Sequence, residues 1–345
     1  MRAACAILQI GVIKQEGKVS CSMKEIVGLK EKYRDYFKIG AAVNAASIVA
    51  HGDLLKRHFN SITAENATKP AVVCPEDGFY HFEEADQIAD FAVENGLALR
   101  GHTLVWHAQV PDWWFQGADR GVLFARLERH MRVMAERYPQ MYCWDVVNEA
   151  VEDHESYLLR KSRWLELCGE GYLDAAFHAA KRIFPEADLY YNDYSEFRPD
   201  KCKKMIALVK GMLERGVPVD GVGLQCHWTQ DQPTMDELRR GMEAYAELGL
   251  KIQVTEMDLS VYDFDDRSVG TGKPDPQRME LQAKRYGEAF RVFREYREVM
   301  DCVTLWGVSD DMTWLDYFPV ERKNWPLLFD EQGQPKEAYW RIIDF

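Results

Sequence analysis

A single (β/α)8 barrel is the fold class this sequence predicts, and three observations carry the prediction. Short apolar runs recur along the 345 residues, each followed by a stretch with helical periodicity. Successive runs begin more than 20 residues apart, which leaves room for a helical crossover between parallel strands. Polar side chains with chemical potential gather at one end of the runs, as they do at the carboxyl mouth of such a barrel.

The eight strands are expected at Phe37–Val43, Asn60–Ala64, Ala98–Trp106, Tyr142–Val147, Leu189–Asn192, Gly221–Gln225, Lys251–Thr255 and Cys302–Trp306. Between them, Met205, Leu208, Val209, Met212 and Leu213 follow the spacing of one buried helix face. That helix should stop at Gly216, with Pro218 beyond, and Phe82–Asn95 should stop at Gly96. The rival architecture is a doubly wound open sheet, but no GxGxxG or GxxxxGK[ST] follows any strand. No linker or low-complexity tract divides the chain, so residues 26–345 are expected to form one catalytic-sized domain. Residues 1–25 read as an N-terminal extension, either disordered or a product of start-site choice, with Met23 an alternative start.

Composition narrows the partners. Forty-three Lys and Arg against 56 Asp and Glu give a net charge of −13, the wrong sign for a phosphate backbone or an anionic membrane surface. No apolar run reaches membrane-spanning length. The Ala3–Ile13 stretch is broken by Gln9 and Gly11 and followed at once by Lys14, Gln15 and Glu16, a poor secretory h-region. Eight cysteines make no CxxC pair and no zinc spacing, so they read as reduced thiols. Together these predict a cytoplasmic location, with secretion as the alternative. Oligomeric state leaves no mark in the sequence.

The chemistry sits where strands end. Strand four runs into Asn148 and Glu149, and strand seven into Glu256 and Asp258. These strands are not neighbours, so the two glutamates face each other across the mouth, the arrangement that hydrolysis of an acetal requires. One must carry a proton to the leaving oxygen while the other stays ionised beside the developing positive carbon. Trp106, Trp306 and Trp314 offer flat faces to sugar rings, while Glu65, Asn66, Lys69, His102 and Gln225 can hydrogen-bond hydroxyls. A lone glutamate after a strand is usually a surface charge; two opposed ones, with Asn148 before one and Asp258 after the other, are harder to dismiss. His107 reads as structural, Trp113 and Trp114 as a cap on the core, and Asp263–Arg267 as solvated loop.

Taken together these stretches resemble the glycoside hydrolase family 10 endo-xylanases. FKIGAAV, ITAENATKP, RGHTLVWHAQVPDW, WDVVNEA, YYNDYSE, GVGLQCHW, VTEMD and LWGVSDDMTW occur in that family's order, over essentially the whole chain after about residue 33. The resemblance implies a barrel that cleaves β-1,4 linkages in xylan or xylo-oligosaccharides with retention, without cofactor or metal. It implies Glu149 as acid/base, Glu256 as nucleophile, and Asn148, His227 and Asp258 as their support. Glu65, Asn66 and Lys69 match positions that grip the xylose one subsite from the bond. His102, Trp106, Gln225, Trp306 and Trp314 match the walls around the scissile sugar, with Gln109 nearby, and Tyr194 matches an aromatic on the leaving-group side. Thr68 stands where the family often has Met, and Ser195 where Asn is common, departures that bear on subsite preference. The poor N-terminal signal and the absence of a carbohydrate-binding module resemble intracellular members, which would meet short oligosaccharides.

Retention by double displacement needs the carboxyl groups about 5–5.5 Å apart, and inversion about 6.5–9.5 Å. Glu149 should hold its proton through proximity to anionic Glu256, and Glu256 should be kept charged by hydrogen bonds from His227 and Asn148. The rivals are a β-1,4-glucanase or aryl-glycosidase on the same site, a non-catalytic sugar-binding barrel, and a metal-dependent hydrolase using His102, His107, His154 and His227. The last lacks an H-x-H pair after the first strand.

Overall fold

The computed structural model describes residues 9–15, 18–270, 272–273 and 275–345, with side chains from Glu25 onward. Residues 1–8 of the expected extension lie outside the described residues. Gln9–Gln15 and Lys18–Lys24 pair antiparallel in a two-stranded sheet separate from the barrel.

Eight parallel strands then close on themselves: β1 (Lys38–Val43), β2 (Ser61–Ala64), β3 (Ala98–Gly101), β4 (Met141–Asn148), β5 (Asp188–Asp193), β6 (Gly221–Leu224), β7 (Lys251–Leu259) and β8 (Met300–Leu305). Each pairs with its sequence neighbour, and β8 pairs with β1, so no edge is left open. Helices fill the crossovers and bury one face each. In Pro199–Glu214 that face is Cys202, Met205, Leu208, Val209 and Met212, with Leu213 only half-buried at its margin. Gly216, at φ 75°, takes the left-handed turn beyond this helix, and Gly96, at φ 63°, does the same after Glu83–Glu94.

Two strands differ from expectation by more than two residues at one end, and both differences shape the mouth. β3 ends at Gly101, not Trp106. His102 and Thr103 leave the ladder to bond Asp145, through its Oδ2 (2.8 Å) and its backbone oxygen (2.9 Å), and pairing resumes at Val105 beside Val147. β7 continues through Leu259, so Glu256 and Asp258 lie on the strand itself, on the same face by its two-residue period. Across from it, β6 stops at Leu224, Cys226 turns at φ 59°, and the short strand His227–Trp228 pairs with Asp258–Leu259. By that point β7 has taken up one more residue than the facing chain, which sets His227 against Asp258.

Part of the barrel interior is polar. Lys38 Nζ donates to Asp301 (2.8 Å), Gln253 bridges Asp301 (2.8 Å) to Arg100 Nε (2.8 Å), and the fully buried Arg100 grips both oxygens of Asp145. Asp145 in turn holds His102. Every charge in this chain is paired, which is the condition for burying it, and its upper end fixes a side chain of the mouth.

Outside β3 the fit is tight. A Cβ placed on Gly101 would lie 2.3 Å from the Trp144 ring, which is fully buried and tilted against Phe184. Gly101→Ala is therefore expected to lower unfolding stability by about 1–3 kcal/mol through overpacking. A fall in the urea midpoint checks it; an unchanged midpoint would mean that Trp144 can swing aside at no cost.

Candidate active site

Glu149 leaves β4 in a left-handed conformation, φ 57°, with its amide donating to Asn192 O on β5 (2.8 Å). This turn presents the carboxyl to a ring of donors. Asn148 Nδ2 (3.1 Å) and Gln225 Nε2 (3.0 Å) donate to Oε1, and Trp106 Nε1 (2.8 Å) donates to Oε2. His107, read from sequence as structural, is exposed and places Nδ1 3.9 Å from the same Oε2. Burial is the main cause that raises the Glu149 carboxyl above the usual carboxylate range; the charge of Glu256 adds to it, while the donors and Arg160 oppose it. The expected cause, Glu256 alone, is thus the smaller of the two.

Glu256 is 4% exposed, and burial by itself would raise it as well. It does not win here. His102, His227 and Lys69 converge on it from three other parts of the mouth and bring it down to about 2. Asn192 Nδ2 donates to Oε1 (2.7 Å), and His227 Nε2 lies 3.4 Å from Oε2. The sequence reading gave Asn148 the role that Asn192 fills, because both end neighbouring strands and only the register shows which one reaches across. Asn148 Oδ1 instead accepts from Asn192 (2.9 Å) and Gln225 (3.2 Å), so a bracket of amides ties the two carboxyls together. Thr255 Oγ1 fixes the Asn192 amide by donating to its oxygen (2.7 Å).

Behind Glu256, His227 Nδ1 lies 3.0 Å from Asp258 Oδ1, and Trp314 Nε1 donates to Asp258 Oδ2 (2.7 Å). Burial opposes charge on His227, yet Asp258 and Glu256 outweigh it and push the imidazole up to about 10. Trp306 stands edge-on to His102 (5.4 Å) and His227 (6.2 Å), and Trp314 edge-on to His227 (5.0 Å). Lys69 Nζ bonds Asn66 Oδ1 (3.0 Å) and lies 5.0 Å from the centre of the Trp106 ring. Glu65 Oε2 accepts from Asn44 (3.5 Å). Tyr194 Oη is tied to Asp153 and Arg160. Gln109, at φ 48°, is exposed and is anchored through its carbonyl to Ala71 N (2.9 Å).

Trp114 is fully buried against Trp164 and His130, as a core cap should be. The Asp263–Arg267 run is more than solvated loop: Arg322 binds Asp266 Oδ1 (3.1 Å), and Asp263 and Phe264 border a recess beside His227 and Trp314. Among the described residues no group of three or more metal-ligating side chains forms.

A closed eight-stranded barrel with one carboxyl raised and one lowered in proton affinity at its mouth, walled by tryptophans, defines a (β/α)8 glycoside hydrolase. The chain belongs to glycosyl hydrolase family 10, whose sequence model matches residues 28–345. Endo-1,4-beta-xylanase A of Caldicellulosiruptor saccharolyticus is 46% identical over 338 residues, covering 95% of this chain and 99% of its own. The crystal structure of an endo-1,4-beta-xylanase from Caldicellulosiruptor owensensis is 46% identical and has a TM-score of 0.91, covering 93% of this chain and all of its own. A mutant structure in complex with xylotriose, 48% identical, has a TM-score of 0.91 over 93% of this chain and all of its own.

Proposed function

We propose that this protein is a retaining endo-1,4-β-xylanase acting on xylan or xylo-oligosaccharides, with Glu149 as acid/base and Glu256 as nucleophile. The observation that carries the assignment is the opposite polarisation of two carboxyls joined by one amide bracket: Glu149 raised, Glu256 down at about 2. Glu256, bare and buried, attacks the anomeric carbon while Glu149 passes its proton to the departing sugar oxygen. The glycosyl ester removes the Glu256 charge, the proton affinity of Glu149 falls, and Glu149 then takes a proton from the water that cleaves the ester. Asn192, released from the carboxylate, stays within the bracket for the next cycle. In this reading Lys69, Glu65 and Asn66 hold the neighbouring xylose, and Tyr194 the leaving sugar.

Comparing aryl xylobioside with aryl cellobioside tests the sugar class, and a time-resolved product ladder from xylohexaose tests endo action. Preference for the cellobioside would move the reading to a β-1,4-glucanase. The six described cysteines are all free and buried, which supports a reducing, cytoplasmic setting.

The pH profile follows from the signs. Glu256 works ionised and titrates low, so activity should persist well into acid; Glu149 works protonated, so activity falls as pH rises through its elevated pKa. His227→Asn removes a cation that depresses Glu256, so the acid limb of kcat/KM should move up by about one pH unit or more. An acid limb left in place would mean that His227 does not hold the nucleophile charged.

A further inference from the structure

Arg160 stands on the chain that returns from the mouth. After Glu149 the backbone forms a small flap, closed by the Val151–Leu159 bridge and by Glu152 N donating to Leu158 O (2.9 Å). The flap brings Arg160 back beneath Glu149, where its amide donates to Ala150 O (2.7 Å) and its Nε donates to Glu149 O (3.1 Å). Its Nη2 donates to both Asp153 Oδ2 (2.7 Å) and Tyr194 Oη (2.7 Å). One planar guanidinium thus spans the proton donor's peptide and the aromatic at the leaving-group side. Lys201, fully buried on the helix Pro199–Glu214, locks Asp153 from behind and also binds Asp193 Oδ1 (3.0 Å) and Val151 O (2.9 Å).

The need for such a brace is local. Glu149 is not glycine, yet it sits at φ 57°, a conformation that persists only where the surroundings hold it. Its amide is fixed by Asn192 O, and the guanidinium fixes its carbonyl. We infer that Arg160 is a positioning residue for the general acid, setting the direction of the Glu149 carboxyl and coupling it to the ring on which the leaving sugar rests. The inference rests on the acid/base reading of Glu149.

The groups facing the Glu149 carboxyl are Asn148, Gln225, Trp106, His107, Glu256 and Arg160; Asp153, Tyr194, Lys201 and Asp193 surround the guanidinium. Arg160 is a cation that opposes the raised proton affinity of Glu149. Its removal should therefore move the alkaline limb of kcat/KM to higher pH, while misplacing the donor.

The test compares Arg160→Ala and Arg160→Lys with the unaltered enzyme on xylotriose and on an activated dinitrophenyl xylobioside, whose leaving group needs no proton. Expected for Arg160→Ala is a fall in kcat on xylotriose of about tenfold to a hundredfold, little change in glycosylation of the activated substrate, and an upward move of the alkaline limb. Arg160→Lys keeps the charge but cannot span all three acceptors, so its limb should stay in place while the xylotriose rate still drops. Equal losses on both substrates with an unmoved limb, or no loss on either, would overturn the inference. Glu149→Ala run in parallel separates the two readings: if it shows no dependence on leaving group, the acid/base assignment fails first and independently.

Discussion

Glu256→Ala should abolish turnover of xylo-oligosaccharides and activated aryl xylosides alike, a loss on the order of 10⁵- to 10⁶-fold, the scale seen when a covalent nucleophile is removed. An activated leaving group relieves the demand for a proton but not the demand for a nucleophile, so no aryl substrate should recover the rate. The substitution also takes from Asn192 Nδ2 one of its two acceptors, leaves Lys69 and His227 facing an empty position, and removes one of the two carboxylates that raise His227. Those buried donors cost about 1–3 kcal/mol where water cannot reach them, so a modest drop in melting temperature should accompany the kinetic loss. Azide added to this variant can only attack the anomeric carbon directly, giving a glycosyl azide of inverted configuration. More than about one per cent residual activity on the aryl xyloside, or a product of retained configuration, would remove Glu256 from the nucleophile's role.

The fold was legible because its signals are local. An apolar run followed by a helical period is written into consecutive residues, and the residues that do chemistry stand where runs end: Glu149 after VVN, Glu256 after QVT. What stayed hidden depends on pairing between distant strands. Asn192 and Asp145 sit inside YYND and WDVV, where each reads as one more strand position; only the registers of β5 and β7 on β6 bring Asn192 to Glu256, and only the break after β3 brings His102 to Asp145. Arg100 reads as a misplaced charge until Gln253 and Asp145 are folded around it. The contrast between the two glutamates was foreseen in direction, while its main cause was not. Burial is a property of the whole mouth, and the groups that spare Glu256, His102, Lys69 and His227, come from the break after β3, from the loop after β2 and from the turn after β6. Arg160 carried no signal, since eleven residues separate it from Glu149 and a flap must close to join them.

Glu149→Ala should divide the reaction at its middle. For xylotriose, whose leaving sugar requires protonation, both steps lose their catalyst, and kcat should fall by about 10²- to 10⁴-fold. For a dinitrophenyl xylobioside the first step proceeds without help, because Glu256 keeps Asn192 and His227 and stays ionised. A burst of one dinitrophenolate per site should then precede slow turnover, as the glycosyl ester waits for a water that nothing deprotonates. Azide needs no base and fits the space that the carboxyl vacates between Gln225 and Trp106. It should therefore speed the second step and release a glycosyl azide of retained configuration, the opposite stereochemistry to that expected from the Glu256 variant. The alkaline limb of the residual activity on xylotriose should also flatten, since the group whose deprotonation limits it is gone. No burst, no azide effect and an unchanged alkaline limb would together show that the proton comes from elsewhere. The amide bracket would then join two carboxyls of the same role, and the raised proton affinity of Glu149 would reflect burial without catalytic use.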